Sequence, residues 1–262
     1  MALFDFSKLF NSEMPEMRKE LRDVIDVLQF SKHPIALTGA GISVESGIPD
    51  FRGPQGIWKR FSPSQFVREN FTASPEKFWK MVLPLLNQIK KAKPNKAHFA
   101  LAQMERLGYI KAVITQNIDL LHQKAGSKKV IEFHGNLTHL RCPRCGERYK
   151  FDIKKMKKIP RCSKCGTILL PEITFFGDQI NSSILEMVNR EISYADVLLI
   201  IGTSAAVEPA SQIPYLVKEK GGTIIEINIQ PTYLTEEITD IFIPCEASLA
   251  LDKLSKALST IL

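Results

Sequence analysis

A chain of 262 residues has room for one large domain or two smaller ones and buries roughly three quarters of its unfolded surface on folding. Its 44% hydrophobic and 24% charged residues are those of an ordinary globular protein, which excludes a disordered, fibrous or membrane-embedded chain. The net charge of +7 invites a nucleic-acid reading, yet ten basic residues face two acidic ones between Arg141 and Cys165, so the rest of the chain is close to −1.

In chain order, the opening MALFDFSKLF carries Asp5 and Lys8 where a signal peptide needs an apolar core. No apolar run reaches the ~18 residues of a membrane span, so no membrane contact is expected and the expected compartment is the cytoplasm. Residues 16–30 place Leu21, Val24, Ile25 and Leu28 at helical spacing, an amphipathic helix. Five short apolar runs follow, at 35–37, 112–114, 130–133, 197–201 and 223–227, each ending in polar residues or glycine. They alternate with helical patterns at 96–107, 182–194 and 249–262. Such alternation predicts an α/β fold, a doubly wound Rossmann-like parallel sheet whose strand ends converge on one crevice. Two stretches interrupt it. Residues 48–94, rich in aromatics and proline, read as loop followed by short helices, and 140–170 form a basic cysteine-bearing module. The expected plan is a discontinuous Rossmann-like domain from 16–50, 96–138 and 171–262, a helical insertion at 51–95 and a zinc ribbon at 139–170.

Cys142-x2-Cys145 and Cys162-x2-Cys165, sixteen residues apart, have the spacing of a four-thiolate zinc site. Four protein ligands close the coordination sphere, so the metal is expected to be structural. His139 is an alternative ligand, and a redox role for the CxxC pairs is the competing reading. The fifth cysteine, Cys245, reads as a packed thiol. Gly39-x-Gly41 after an apolar run suits a turn that lets backbone approach a phosphate. A dinucleotide fingerprint needs a third glycine that is absent here, and Lys59-Arg60-Phe61 stands where a dehydrogenase places a ribose-binding acid, which disfavours a standard NAD dehydrogenase.

GAGISVESGIPDFRG at 39–53, Thr115-Gln116-Asn117-Ile118-Asp119 and His134-Gly135 resemble the signatures of the sirtuins, NAD-dependent protein lysine deacylases. Phe176-Gly177, Gly202-Thr203-Ser204, Asn228 and the four-cysteine module fall in the family order. The resemblance implies that the acyl-lysine carbonyl oxygen attacks the nicotinamide ribose of NAD, that nicotinamide leaves, and that the acyl group ends on ADP-ribose. It implies His134 as general base, Asn117 and Asp119 at the ribose and the nicotinamide carboxamide, and Gln116 on the ribose and histidine side. Phe51 would cover the reactive ribose face and Arg52 would meet phosphate. Gly39, Ala40, Gly41, Val44, Asp50, Ile118, Gly202, Thr203, Ser204, Asn228 and Ala247 complete the implied cofactor set. Phe176, Gly177 and Val207 form the implied substrate set. Zinc and consumed NAD are the implied cofactors, and acyl-lysine proteins the implied partners.

Asp178 stands where the family usually has Glu, Thr174 where an aliphatic residue is common, and Val44 where a small hydroxyl residue often sits. Family members that prefer acidic acyl groups carry a Tyr-x-x-Arg pair, and the gap-free match here is Trp79 and Val82. A neutral acyl group is therefore expected, in an apolar pocket lined by Phe51, Phe176 and Val82. Two rival readings stand beside this one. They are mono-ADP-ribosyl transfer to protein, and a zinc-ribbon module binding nucleic acid or chromatin weakly through its basic face.

Overall fold

The computed structural model describes residues 15–53 and 56–261; the opening MALFDFSKLF lies outside them. The first helix, α1, spans Pro15–Phe30, and its stripe of Leu21, Val24, Ile25 and Leu28 is almost fully buried. Strands β1 (Pro34–Thr38), β2 (Ala112–Thr115), β3 (Val130–Glu132), β7 (Val197–Ile201), β8 (Thr223–Asn228) and β9 (Ile241–Pro244) form one sheet in the order β3-β2-β1-β7-β8-β9. Every neighbouring pair is parallel. The chain moves outward from β1 through β2 to β3, then returns and moves the other way from β7. The order therefore reverses between β1 and β7, where doubly wound sheets open a ligand crevice.

All five residues of β1 and of β7 are buried, because helices cover both faces. Ala36, Leu199 and Ile201 pack with α1, α4 (Lys96–Arg106) and α9 (Ala247–Ser259). Ile35, Leu37, Leu198 and Ile200 face the other layer, which includes α6 (Ser182–Tyr194) and α7 (Gln212–Glu219). The fold class is as expected, with one strand more. The edge strand β9 has four residues of which only Ile243 is buried, too short and too exposed to carry an alternating signal.

The insertions form a second, smaller core. Helices α2 (Arg68–Ala73) and α3 (Pro75–Lys91) pack on an antiparallel sheet ordered β5-β4-β6, with β4 at Gly135–Arg141, β5 at Arg148–Lys150 and β6 at Leu170–Ile173. The expectation of short helices fails for α3, whose 17 residues start with Pro75 in the first turn and end on Lys90 and Lys91. The expected boundary at 138/139 falls inside β4 and that at 170/171 inside β6. A strand thus runs directly from the crevice into the cysteine module.

Candidate functional site

At the switch point the backbones leaving β1 and β7 touch. Gly39 N donates to Ile201 O (3.1 Å) and Gly41 N to Gly202 O (2.8 Å). A Cβ on Gly39 would stand 2.5 Å from Thr203 Cβ, and one on Gly41 2.7 Å from Gly202 Cα. These glycines are thus required first by the approach of two loops. The 3₁₀ turn that follows, Ala40–Ser46, has no side-chain cap on its N-terminus, where Gly41 N and Ile42 N are instead held by the carbonyls of Gly202 and Gly39.

Ser43, fully buried on that turn, is a hub. Its Oγ donates to Asp119 Oδ2 (2.8 Å) and accepts from Asn117 Nδ2 (3.2 Å), which also donates to Gly39 O (3.0 Å). Asn117 and Asp119, two residues apart beyond β2, are thereby held on one side. Asp119 Oδ1 accepts from Leu121 N at the start of α5 (Leu121–Ala125), across Leu120, whose φ of 64° is left-handed. Burial raises the pKa of the Asp119 carboxyl. Gln116 points the other way: its Nε2 donates to Thr203 Oγ1 (3.0 Å), while its carbonyl lies 3.1 Å from His134 Nδ1. A carbonyl only accepts, so the proton sits on Nδ1 and His134 Nε2 keeps its lone pair. Burial lowers the His134 pKa, which keeps that lone pair unprotonated at neutral pH. This pair of atoms is what a general base requires.

Beneath the turn, Thr38 Oγ1 meets His122 Nε2 at 3.0 Å, the His122 ring lies 4.9 Å from that of His98, and Asn95 Nδ2 donates to Ile42 O (2.7 Å). Above it, Phe51 is 39% exposed and its ring is 5.0 Å from Trp58, which lies 5.7 Å from Phe176. Arg52 Nη1 donates to Ser204 Oγ (3.2 Å), whereas Asp50 accepts from Gly53 N (2.9 Å) and closes a turn. Val44 is exposed on the outside of the 3₁₀ turn, Ala40 is half-buried on it, and Ile118 packs toward the small core. Asn228 Nδ2 reaches Thr203 O (3.0 Å). Cys245, a packed thiol, donates from its N to Asn228 O (3.1 Å), which brings Ala247, the first residue of α9, to the same end of the sheet.

The implied substrate residues flank this crevice. Phe176 N donates to Phe66 O (3.0 Å), Gly177 takes a φ of 84°, and Val207 O accepts from Ser211 N (3.0 Å). Asp178 forms a two-pronged pair with Arg68, at 2.8 and 2.6 Å. The acyl-pocket expectation needs one correction. Trp79 is buried and donates from Nε1 to Leu169 O (3.0 Å), so the helix turns it toward the cysteine module, and Val82 is buried in the small core. The side chain found beside Phe51 and Phe176, where Val82 is expected from sequence, is Trp58.

The four cysteine Sγ atoms lie within 4.8 Å of one another, with separations of 3.5 Å (142 to 165), 3.6 Å (145 to 162) and 3.8 Å (145 to 165). A tetrahedral ion with metal–sulfur bonds of ~2.3 Å has edges of ~3.8 Å, so the four residues fit zinc. Tyr149 Oη, 3.1 Å from Cys162 Sγ, completes the surroundings. His139 pairs with Thr138 Oγ1 (2.9 Å) and is not one of the four ligands. The seven residues of β4 place this cluster ~20 Å along the strand from His134.

The sequence model of the Sir2 family matches residues 39–209. The chain belongs to the Sir2 family. An NAD-dependent protein deacetylase of Caldivirga maquilingensis is 47% identical over 234 residues, 86% of this chain and 89% of that protein. A crystal structure of a Sir2 homologue with NAD aligns at a TM-score of 0.84 and 41% identity, covering 92% of this chain and 94% of that one. A Sir2 variant with a deacetylated p53 peptide and 3′-O-acetyl ADP-ribose aligns at 0.86 and 37% identity, covering 90% and 98%. Within this Sir2 chain, Ser43, Trp58 and Tyr149 carry no individual expectation from sequence. Ser43 lies inside the quoted motif, and Trp58 is signalled only by the density of aromatics around it.

Proposed function

We propose that the chain is an NAD-dependent protein lysine deacylase that moves an acyl group from lysine to ADP-ribose with release of nicotinamide. The observation that carries this is the His134 Nδ1 to Gln116 carbonyl bond, which leaves His134 Nε2 neutral and ties the histidine to the strand end whose Asn117 and Asp119 are held together on Ser43. The Sir2 neighbour that holds a deacetylated peptide and 3′-O-acetyl ADP-ribose supports it.

The residues present fit NAD: a turn of small residues and Arg52 for phosphates, amides and hydroxyls for riboses, and a buried Asp with a half-buried Asn for a carboxamide. When bound, NAD supplies a ribose carbon from which nicotinamide departs. Gly39, Ala40, Gly41, Arg52 and Ser204 hold the diphosphate, with Asp50 shaping the loop and Val44 at its rim. Gly202, Thr203, Asn228 and Ala247 take the adenosine side, and Gln116, Asn117, Ile118 and Asp119 the nicotinamide ribose side. His134 Nε2 accepts the proton of a ribose hydroxyl, while Phe51, backed by Trp58, excludes water. Phe176, Gly177 and Val207 flank the acyl-lysine chain. Zinc on Cys142, Cys145, Cys162 and Cys165 folds the ribbon and leaves no coordination position for substrate.

The acyl group in this reading is neutral. Arg68, which lies over the Phe175 ring at 5.3 Å, is already taken by Asp178, and an acidic acyl group would be desolvated without a partner. A cytoplasmic setting belongs to the same reading, supported by four cysteines grouped as a metal site rather than as disulfide pairs. Contact of the basic module with a polyanion is the weaker reading: Arg141, Arg148 and Arg161 pair with Glu172 and Glu76 from outside the module, which lowers its excess of positive charge.

Mass spectrometry of acetyl, butyryl, myristoyl and succinyl versions of one peptide, with and without NAD, tests the reading. Loss of the acyl mass only with NAD supports it. A gain of ADP-ribose on protein without acyl loss supports the transferase rival. Steeply salt-dependent DNA binding without nicotinamide release supports the nucleic-acid rival.

A further inference from the structure

Glu226 is wholly buried in β8, two residues before Asn228, and four side chains donate to its carboxyl group. Oε1 accepts from Asn228 Nδ2 (2.9 Å) and Thr232 Oγ1 (2.7 Å), and Oε2 from Thr235 Oγ1 (2.6 Å) and Thr239 Oγ1 (3.2 Å). The three threonines lie on and around α8 (Tyr233–Glu237), which Thr232 caps and whose Tyr233 Oη donates to Ala205 O (2.7 Å). Asn228 Nδ2 has two protons, and both are committed: one to Glu226 Oε1, the other to Thr203 O (3.0 Å). Thr203 Oγ1 in turn accepts from Gln116 Nε2 (3.0 Å), so one hydrogen-bonded chain crosses the crevice from β2 to α8.

We propose that Glu226 is a positioning residue that fixes the amide of Asn228 with its carbonyl oxygen as the group offered to ligand, and so selects a hydroxyl-bearing adenosine ribose. An amide is a donor at one end and an acceptor at the other, and a carboxylate that only accepts dictates which end turns inward. With both Nδ2 protons spent, Oδ1 is the remaining polar atom of Asn228, and a ribose hydroxyl is the donor it suits. A rotated amide would present N–H groups to that hydroxyl and lose the Glu226 bond as well. This rests on the proposed placement of adenosine ribose at Asn228.

The test is calorimetric titration of the acyl-substrate-free protein with ADP-ribose and with its analogue lacking both hydroxyls on the adenosine ribose. Glu226→Met, which removes every acceptor, is expected to weaken ADP-ribose ~10-fold while leaving the affinity for the dideoxy analogue unchanged. Glu226→Gln keeps an acceptor at the same place and is expected to bind within ~3-fold of the unmodified protein. Thr235→Val removes one bond on the α8 side and is expected to lower Tm without moving Kd. A folded Glu226→Met protein that binds ADP-ribose normally, or that loses both ligands equally, overturns the proposal. An Asn228→Ala protein with unchanged ADP-ribose affinity overturns the placement of the ribose instead. Should Glu226→Met not fold, side-chain amide exchange of Asn228 in the unmodified protein decides. Slow exchange of both protons, with and without ADP-ribose, supports the proposal, and exchange at the rate of an exposed amide overturns it.

Discussion

His98 and His122 form a buried pair whose titration makes the fold less stable as pH falls. Their rings lie 4.9 Å apart, both side chains are at most 1% exposed, and His98 Nε2 and His122 Nδ1 have no hydrogen-bond partner among the described residues. Burial lowers the pKa of His98 from 6.5 to about 4 and that of His122 from 6.5 to about 3. The folded protein therefore keeps both rings neutral in a range where the unfolded chain takes up protons. Stability is complete above pH 6.5 and falls as pH drops toward the folded values. The slope is ~1.4 kcal/mol per pH unit for each histidine, so at pH 5 the pair together removes about 4 kcal/mol, a large share of a typical domain's stability. Urea unfolding between pH 7 and 5, in excess zinc, measures it. His98→Gln removes one titrating ring, so its stability should fall less steeply than that of the unmodified protein by ~1.4 kcal/mol per pH unit. Zinc-site losses are common to both proteins and cancel in the difference. Equal slopes would refute the assignment of the acid sensitivity to this pair.

Four further outcomes are expected. His134→Ala should preserve fold and NAD affinity and reduce turnover by ~10²–10⁴, and near-normal turnover would remove the histidine from the base role. Because burial lowers the His134 pKa, the acid limb of kcat/KM should lie below the pH at which an ordinary histidine titrates, and a limb at or above pH 7 contradicts that geometry. Cys162→Ala, or chelation of zinc, should unfold the ribbon and with it β4, read by circular dichroism and metal content; a stable, active variant argues against a structural metal. Gly41→Ala must part Gly41 from Gly202 because its Cβ would stand 2.7 Å from the Gly202 Cα, and NAD titration should register at least a ~10-fold loss of affinity.

The β-branched runs of β1, β2, β7 and β8 were legible in sequence because central parallel strands are buried on both faces and read as continuous apolar stretches. The edge strand β9 was not, since only Ile243 is buried and half-exposed neighbours leave no pattern. The zinc cluster was legible because ligand spacing is a local property. The direction of Trp79 was not legible, for the converse reason. Helical position fixes direction only relative to a partner, and the partner is Leu169 of the ribbon, 90 residues away. Ser43 and Glu226 gain their meaning from contacts spanning the sheet, 76 residues for Ser43 to Asp119 and 13 for Glu226 to Thr239, with no periodic trace in the chain. Charge summed along the sequence likewise overstated the basic module, because Glu76 and Glu172, outside it, neutralise part of it.

Deacylation at His134 is coupled to cleavage of NAD, and quantifying all products of a single incubation tests that coupling. An acetylated peptide, NAD and the protein, followed by liquid chromatography with mass detection, should yield free lysine peptide, nicotinamide and O-acetyl-ADP-ribose in equal amounts. All three should fall together in His134→Ala. Deacetylation with release of free acetate and no consumption of NAD would contradict the account, as would nicotinamide release matched by ADP-ribosylated protein with the acetyl group left in place.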